Sequence, residues 1–142
     1  MSTPAFHTLP DGRRIAYRFT PGRANKPGPV LVFLPGYMSD MGGSKACALF
    51  DLACAEGRAC LLLDYSGCGS SPGHFADGTL SRWQDEVTDL IAALDLNDIV
   101  LVGSSMGGWL MLLVALAIPG RIRALVGVAA APDFTDWGTP EA

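Results

Sequence analysis

The sequence predicts an α/β fold, a mainly parallel sheet with helices on both faces. Four short apolar runs, Val30–Leu34, Ala59–Leu63, Ile99–Val102 and Ala124–Ala129, read as strands buried on both faces. Helical patterns fall between them, so the order is β-α-β-α-β-α-β, the alternation that parallel crossovers require. The length, 142 residues, fits one domain, 1–142, able to bury roughly two-thirds of its unfolded surface.

Each element follows from local chemistry. Ala5–Leu9 and Arg14–Thr20 flank Pro10-Asp11-Gly12-Arg13 and predict a hairpin. Gly22 to Pro29 is a Gly- and Pro-rich loop ahead of the first buried run, which stops at Pro35-Gly36. Ser44 is the expected N-cap of a helix ending before Gly57, with Ala46, Phe50 and Ala53 or Cys54 inward. Residues 64–74 form a loop with four turn-forming residues, Gly67, Gly69, Pro72 and Gly73. Leu80, Trp83, Val87, Leu90, Ile91 and Leu94 recur at helical spacing and predict an amphipathic helix, with Ser81 and Gln84 as a capping box. Trp109–Ile118 is apolar on every side and predicts a helix packed inside the domain, ended by Pro119-Gly120.

Composition removes several functions. Apolar residues make up 49% and charged residues 17%, below the usual charged share of about 25% and unlike a disordered chain. The net charge is −4 and no basic cluster exceeds Arg13-Arg14, so nucleic acid is not an expected partner. The longest apolar run has ten residues, and a membrane span needs about 20. Met1 to Gly12 has no apolar segment of the secretory kind. Cys47, Cys54, Cys60 and Cys68 form no CxxC pair, and the chain has two histidines, so neither zinc nor any other cofactor is expected. Reduced thiols of this kind suggest a cytoplasmic protein.

The sharpest chemical signal is Gly103-Ser104-Ser105-Met106-Gly107, a G-x-S-x-G pattern with Ser105 at its centre. It follows a buried strand and opens a helix, the setting of a nucleophile elbow. There the serine stands on a strained turn clear of the sheet, and small residues on either side let strand and helix approach. A catalytic serine also needs donors for an oxyanion. The backbone N–H of Met106 is one candidate. The other is the N–H of Tyr37, with Met38 as the fallback, in the loop that follows Phe33-Leu34-Pro35-Gly36. Asp64-Tyr65-Ser66-Gly67-Cys68-Gly69-Ser70-Ser71 matches no phosphate-binding loop and is expected to shape the mouth of the site.

The chain resembles an α/β-hydrolase, in particular the small-esterase group that includes palmitoyl-protein thioesterase and acyl-glucuronide esterase. The stretches that carry the resemblance begin at Leu34, Asp64 and Val102 and run to Ala46, Ser71 and Leu110. The resemblance implies Ser105 as nucleophile, Tyr37 and Met106 as the oxyanion hole, and an acyl ester or thioester as substrate. It also implies a fold truncated after about six strands, without the C-terminal strands and lid. The last strand would then be an exposed apolar edge open to self-association.

In this family the catalytic acid and histidine follow the serine. No histidine follows Ser105. His7 is expected at a strand surface and His74 near the mouth of the site, while Asp133 and Asp136 follow the last strand. The leading expectation is a serine hydrolase acting on carboxylic esters or thioesters through an acyl-enzyme on Ser105. The alternative is a catalytically incomplete fragment, or a non-enzymatic domain that binds acyl ligands or a partner. Nucleotide binding at Gly103–Gly108 is disfavoured, because the spacing is not G-x-G-x-x-G.

Overall fold

The computed structural model of the chain describes residues 3–129. Its six-stranded sheet runs β1-β2-β4-β3-β5-β6. The strands are β1 (Ala5–Thr8), β2 (Arg14–Pro21), β3 (Val30–Leu34), β4 (Ala59–Leu63), β5 (Ile99–Ser104) and β6 (Ile122–Val128). β1 and β2 form the expected antiparallel hairpin, and β2 lies antiparallel to β4. β4, β3, β5 and β6 are mutually parallel.

Three helices connect the parallel strands: α1 (Ser44–Glu56), α2 (Leu80–Ala93) and α3 (Met106–Ala117). Because alternate strand residues point to opposite faces, each continuous apolar run feeds two cores. Val32, Leu34, Leu61, Leu63 and Leu101 pack against α2 and α3. Phe33, Cys60, Leu62 and Val102 pack against Ala46 and Ala53 of α1. Each leucine fully withdrawn from water contributes about 1.5–3 kcal/mol.

The strand order reverses at β3. The chain leaves β3 toward α1 on one face and leaves the neighbouring β5 toward α3 on the other. Loops departing in opposite directions from adjacent parallel strands open a crevice at the carboxyl ends, where α/β folds bind ligands. Leu34 of β3 is in register with Gly103 of β5, so both loops begin at the same height.

Several local expectations are corrected. The N-cap of α1 is Gly43, not Ser44, with its carbonyl accepting from the N–H of Cys47 at 3.0 Å. On α1 Ala46 and Ala53 are buried, Phe50 is half-buried and Cys54 is exposed. α2 is capped by Thr79, whose hydroxyl accepts from the N–H of Arg82 at 3.1 Å, rather than by Ser81 with Gln84. α3 begins at Met106 and takes Gly107 and Gly108 into its first turn. It is not enclosed: Leu116 is 80% exposed. β6 begins at Ile122 rather than Ala124 and carries exposed Leu125 and Val126. As the outer strand it pairs with β5 alone among the described residues, so the fourth apolar run is an edge rather than a buried strand.

Candidate active site

Ser105 sits between the last residue of β5 and the first of α3, with φ 55° and ψ −120°. A non-glycine residue held there carries roughly 1–3 kcal/mol of backbone strain. The surrounding structure fixes the turn. The N–H of Ser105 donates to the carbonyl of Val128 at 3.1 Å, and the carbonyl of Ser105 accepts from Gly108 at 2.8 Å. Ser104 and Met106 are buried while Ser105 is exposed, so only the central residue of the motif presents its hydroxyl.

The flanking glycines are explained by close approach. A β-carbon on Gly107 would overlap the carbonyl oxygen of Leu34 and stand 2.8 Å from that of Pro35. One on Gly103 would overlap the Gly107 carbonyl and stand 2.8 Å from the Gly108 α-carbon. Helix α3 therefore rests its first turn on the end of β3, which only glycine permits. The first-turn N–H of Met106 belongs to the set that a helix leaves without an intrahelical acceptor.

The loop after β3 lies against this turn. A β-carbon on Gly36 would be 3.1 Å from Cβ of Ser105, so Tyr37 directly follows the point of contact. Tyr37 and Met38 are exposed, and Met38 takes the left-handed φ of 55°. The ring of Tyr37 meets Phe75 edge-on at 5.5 Å. Met38, Asp40, Cys68, Gly69 and Phe75 line a cleft of about 190 Å³ beside the loop.

The stretch Asp64–Ser71 packs beside the loop after β3. The buried Asp64 carboxylate accepts from the N–H of Met41 at 2.7 Å and of Ser70 at 2.9 Å, tying the two loops together. Burial pushes its pKa upward against the pull of those two hydrogen bonds. Tyr65 donates its hydroxyl to the carbonyl of Pro35 at 2.8 Å and stacks on Trp83 at 5.2 Å. Glu86, fully buried on α2, accepts from the N–H and hydroxyl of Ser66 at 2.7 and 2.5 Å and from Arg13 at 2.9 Å. A visible signal for Glu86 was an acid three residues beyond Trp83, on the apolar stripe of its helix.

The histidines go elsewhere. Nε2 of His7 is 2.6 Å from Oδ2 of Asp89, joining β1 to α2. His74 lines a separate hollow with Arg13 and Arg82. Asp133 and Asp136 lie outside the described residues. Among the described residues no cluster of three His, Cys, Asp or Glu suits a metal ion, and no helix is long and apolar enough to cross a membrane.

Comparison with known proteins places this geometry. The human protein named palmitoyl-protein thioesterase ABHD10, mitochondrial, is 43% identical over 129 residues, covering 91% of this chain and 41% of the relative. The chain thus spans about two-fifths of the length of such curated relatives. The solved structure of mouse alpha/beta hydrolase domain-containing protein 10 superimposes with a TM-score of 0.83 at 37% identity, over 92% of this chain and 50% of that one. A putative hydrolase from Agrobacterium vitis S4 gives 0.82 at 36%, over 94% and 55%. Five mammalian relatives bear the mitochondrial name, which overturns the cytoplasmic expectation. Reduced cysteines do not discriminate between those two compartments. A family model described as the alpha/beta hydrolase fold matches residues 29–141, from the loop before β3 almost to the last residue, and the chain belongs to that family.

Proposed function

We propose that the chain carries the nucleophile and oxyanion site of a serine hydrolase acting on carboxylic esters or thioesters, in the mitochondrion. The observation that carries this reading is Ser105 itself: exposed, at a left-handed φ, on the strand-to-helix junction between two buried neighbours. A base takes the Ser105 proton, and Oγ attacks the acyl carbon. The carbonyl oxygen becomes an oxyanion held by the N–H groups of Tyr37 and Met106, at the helix N-terminus that favours negative charge. The alcohol or thiol departs with the proton, and water then releases the acid from Ser105. The relatives named thioesterases support the thioester half of the substrate class.

The described residues bring no histidine to Ser105. His7 is engaged by Asp89, and His74 faces another hollow. That placement favours a second reading, a domain that keeps the pocket and binds acyl ligands or a partner without turnover.

Labelling with a fluorophosphonate and turnover of a chromogenic ester test both. Any adduct is expected on Ser105 and is lost in Ser105→Ala. Without a positioned base, the 142-residue chain is expected to retain only about the 10³–10⁴-fold enhancement over water that an oxyanion hole and binding supply. An adduct on Ser104 or Ser71 sinks the nucleophile assignment. Acyl-ligand binding with no adduct favours the second reading.

A further inference from the structure

The loop that carries Tyr37 is anchored at both ends by consecutive residues at the end of the neighbouring strand. At its start the carbonyl of Pro35 accepts from the Tyr65 hydroxyl at 2.8 Å. At its end the N–H of Met41 donates to Oδ1 of Asp64 at 2.7 Å. Five residues, Gly36 to Asp40, lie between the anchors. The N–H of Ser39 donates to the carbonyl of Gly36 at 3.1 Å, closing a turn inside that stretch. Gly36 packs against Ser105, while Tyr37 and Met38 are exposed. Burial of side chains therefore does not hold the middle of the loop, and its place over Ser105 depends on the two ends.

The anchor at Asp64 is a fixed point of the sheet. Its own N–H donates to the carbonyl of Ala16 at 2.9 Å, and its carbonyl accepts from the Ser71 hydroxyl at 2.7 Å. The side chain is 2% exposed. Oδ2 accepts from the N–H of Ser70 at 2.9 Å, so both carboxylate oxygens face backbone donors. A carboxylate has acceptors only and satisfies both donors, whereas a carboxamide satisfies one and turns its NH₂ toward the other. Gly69 leaves room for this arrangement. A β-carbon there would overlap Oδ2 of Asp64 and stand 2.8 Å from Cβ of Asp40.

We propose that Asp64 is a positioning residue for the reaction assigned to Ser105: through Met41 it sets where the Tyr37 N–H stands beside the nucleophile. The inference rests on the reading of Ser105 as nucleophile and Tyr37 as oxyanion donor. Asp64 touches neither Ser105 nor the substrate in this scheme. It carries the position of β4 to the loop after β3.

The test combines fluorophosphonate labelling of the 142-residue chain at several reagent concentrations with amide NMR spectra. Asp64→Asn keeps the shape of the side chain and removes one acceptor. A displacement of the order of 1 Å costs up to about 10²-fold in rate, so the maximal labelling rate is expected to fall about tenfold. The half-saturating reagent concentration is expected to stay within about twofold of the parent's, and the Tyr37 amide signal to shift. Melting curves show whether the variant is folded. If it is not, Gly69→Ala decides, because it keeps the carboxylate and displaces it, and the same changes are expected. A folded variant that melts lower but labels at the parent rate, with an unmoved Tyr37 amide, shows a purely structural Asp64 and overturns the proposal. If the parent itself takes no label, the reading of Ser105 fails separately, and the amide alone decides: a Tyr37 shift in the folded variant upholds the positioning role, and an unmoved signal overturns it.

Discussion

The hydroxyl of Tyr65 donates a 2.8 Å hydrogen bond to the carbonyl oxygen of Pro35, joining the loops that leave two adjacent parallel strands. Tyr65 is fully buried, so the bond has no competing water, and Pro35 immediately precedes the Gly36 that touches the elbow. Removing the hydroxyl strands a buried carbonyl, at a cost of about 1–3 kcal/mol. Tyr65→Phe is therefore expected to melt several degrees lower, and to slow fluorophosphonate labelling of Ser105 in protein that is still folded. Labelling at the parent rate would show that the bond does not position the loop after β3.

Gly107→Val tests the contact between α3 and β3. Its first side-chain atom would overlap the Leu34 carbonyl, which is backbone and cannot rotate away. Overpacking costs about 1–3 kcal/mol or more, so a fall in folding stability of at least this size is expected by urea denaturation. A midpoint equal to the parent's would refute the close approach.

Arg13→Gln probes the charge buried on α2. Glu86 has no exposed surface and lies 2.9 Å from the Arg13 guanidinium. Breaking a buried pair by removing one partner typically costs about 3–5 kcal/mol. The two remaining bonds from Ser66 place the expected loss near the lower figure. Adding Glu86→Gln should recover part of it, because the uncompensated charge is then gone. A double variant no more stable than Arg13→Gln would contradict this.

The cysteines should separate by burial. Cys54 is exposed, whereas burial pushes the Cys60 thiol up to about 12 and the Cys68 thiol up to about 11. Only the thiolate reacts. At pH 8 a thiol-specific disulfide reagent is expected to modify Cys54 rapidly and Cys60 only on unfolding. Fast modification of Cys60 in the native protein would show that this core opens.

The same shifts set a pH dependence. A thiol whose pKa is raised on folding is equally protonated in both states below about 9, the unfolded value. Above it the unfolded chain loses protons that the folded chain retains, so stability falls between pH 9 and 12. Cys60→Ala should show a shallower decline over that window. An identical slope would assign the loss to other groups.

Much of the fold was legible from short-range pattern. The buried runs located β3, β4 and β5 because a strand covered on both faces must be apolar throughout. The strand-to-helix turn at Ser105 was legible because glycines two residues to either side of a serine, between strand and helix, answer to one steric problem. Helix ends were less so: Thr79 and Gly43 cap where Ser81 and Ser44 were expected, since any of several neighbouring residues suits the role and packing selects the start.

By itself the sequence determined the alternation of strands and helices, the glycine-flanked turn at Ser105 and the loop that presents Tyr37, because each is set by residues adjacent in the chain. The tertiary structure alone decided what meets across the chain. It put β3 between β4 and β5, so that the loops after Leu34 and Ser104 open one crevice. It paired His7 with Asp89, 82 residues apart, and Arg13 with Glu86, 73 apart. It left β6 as an edge. The physical reason is that hydrophobic pattern specifies which face of an element is buried but not which element covers it. That choice is made by packing and pairing over the whole domain.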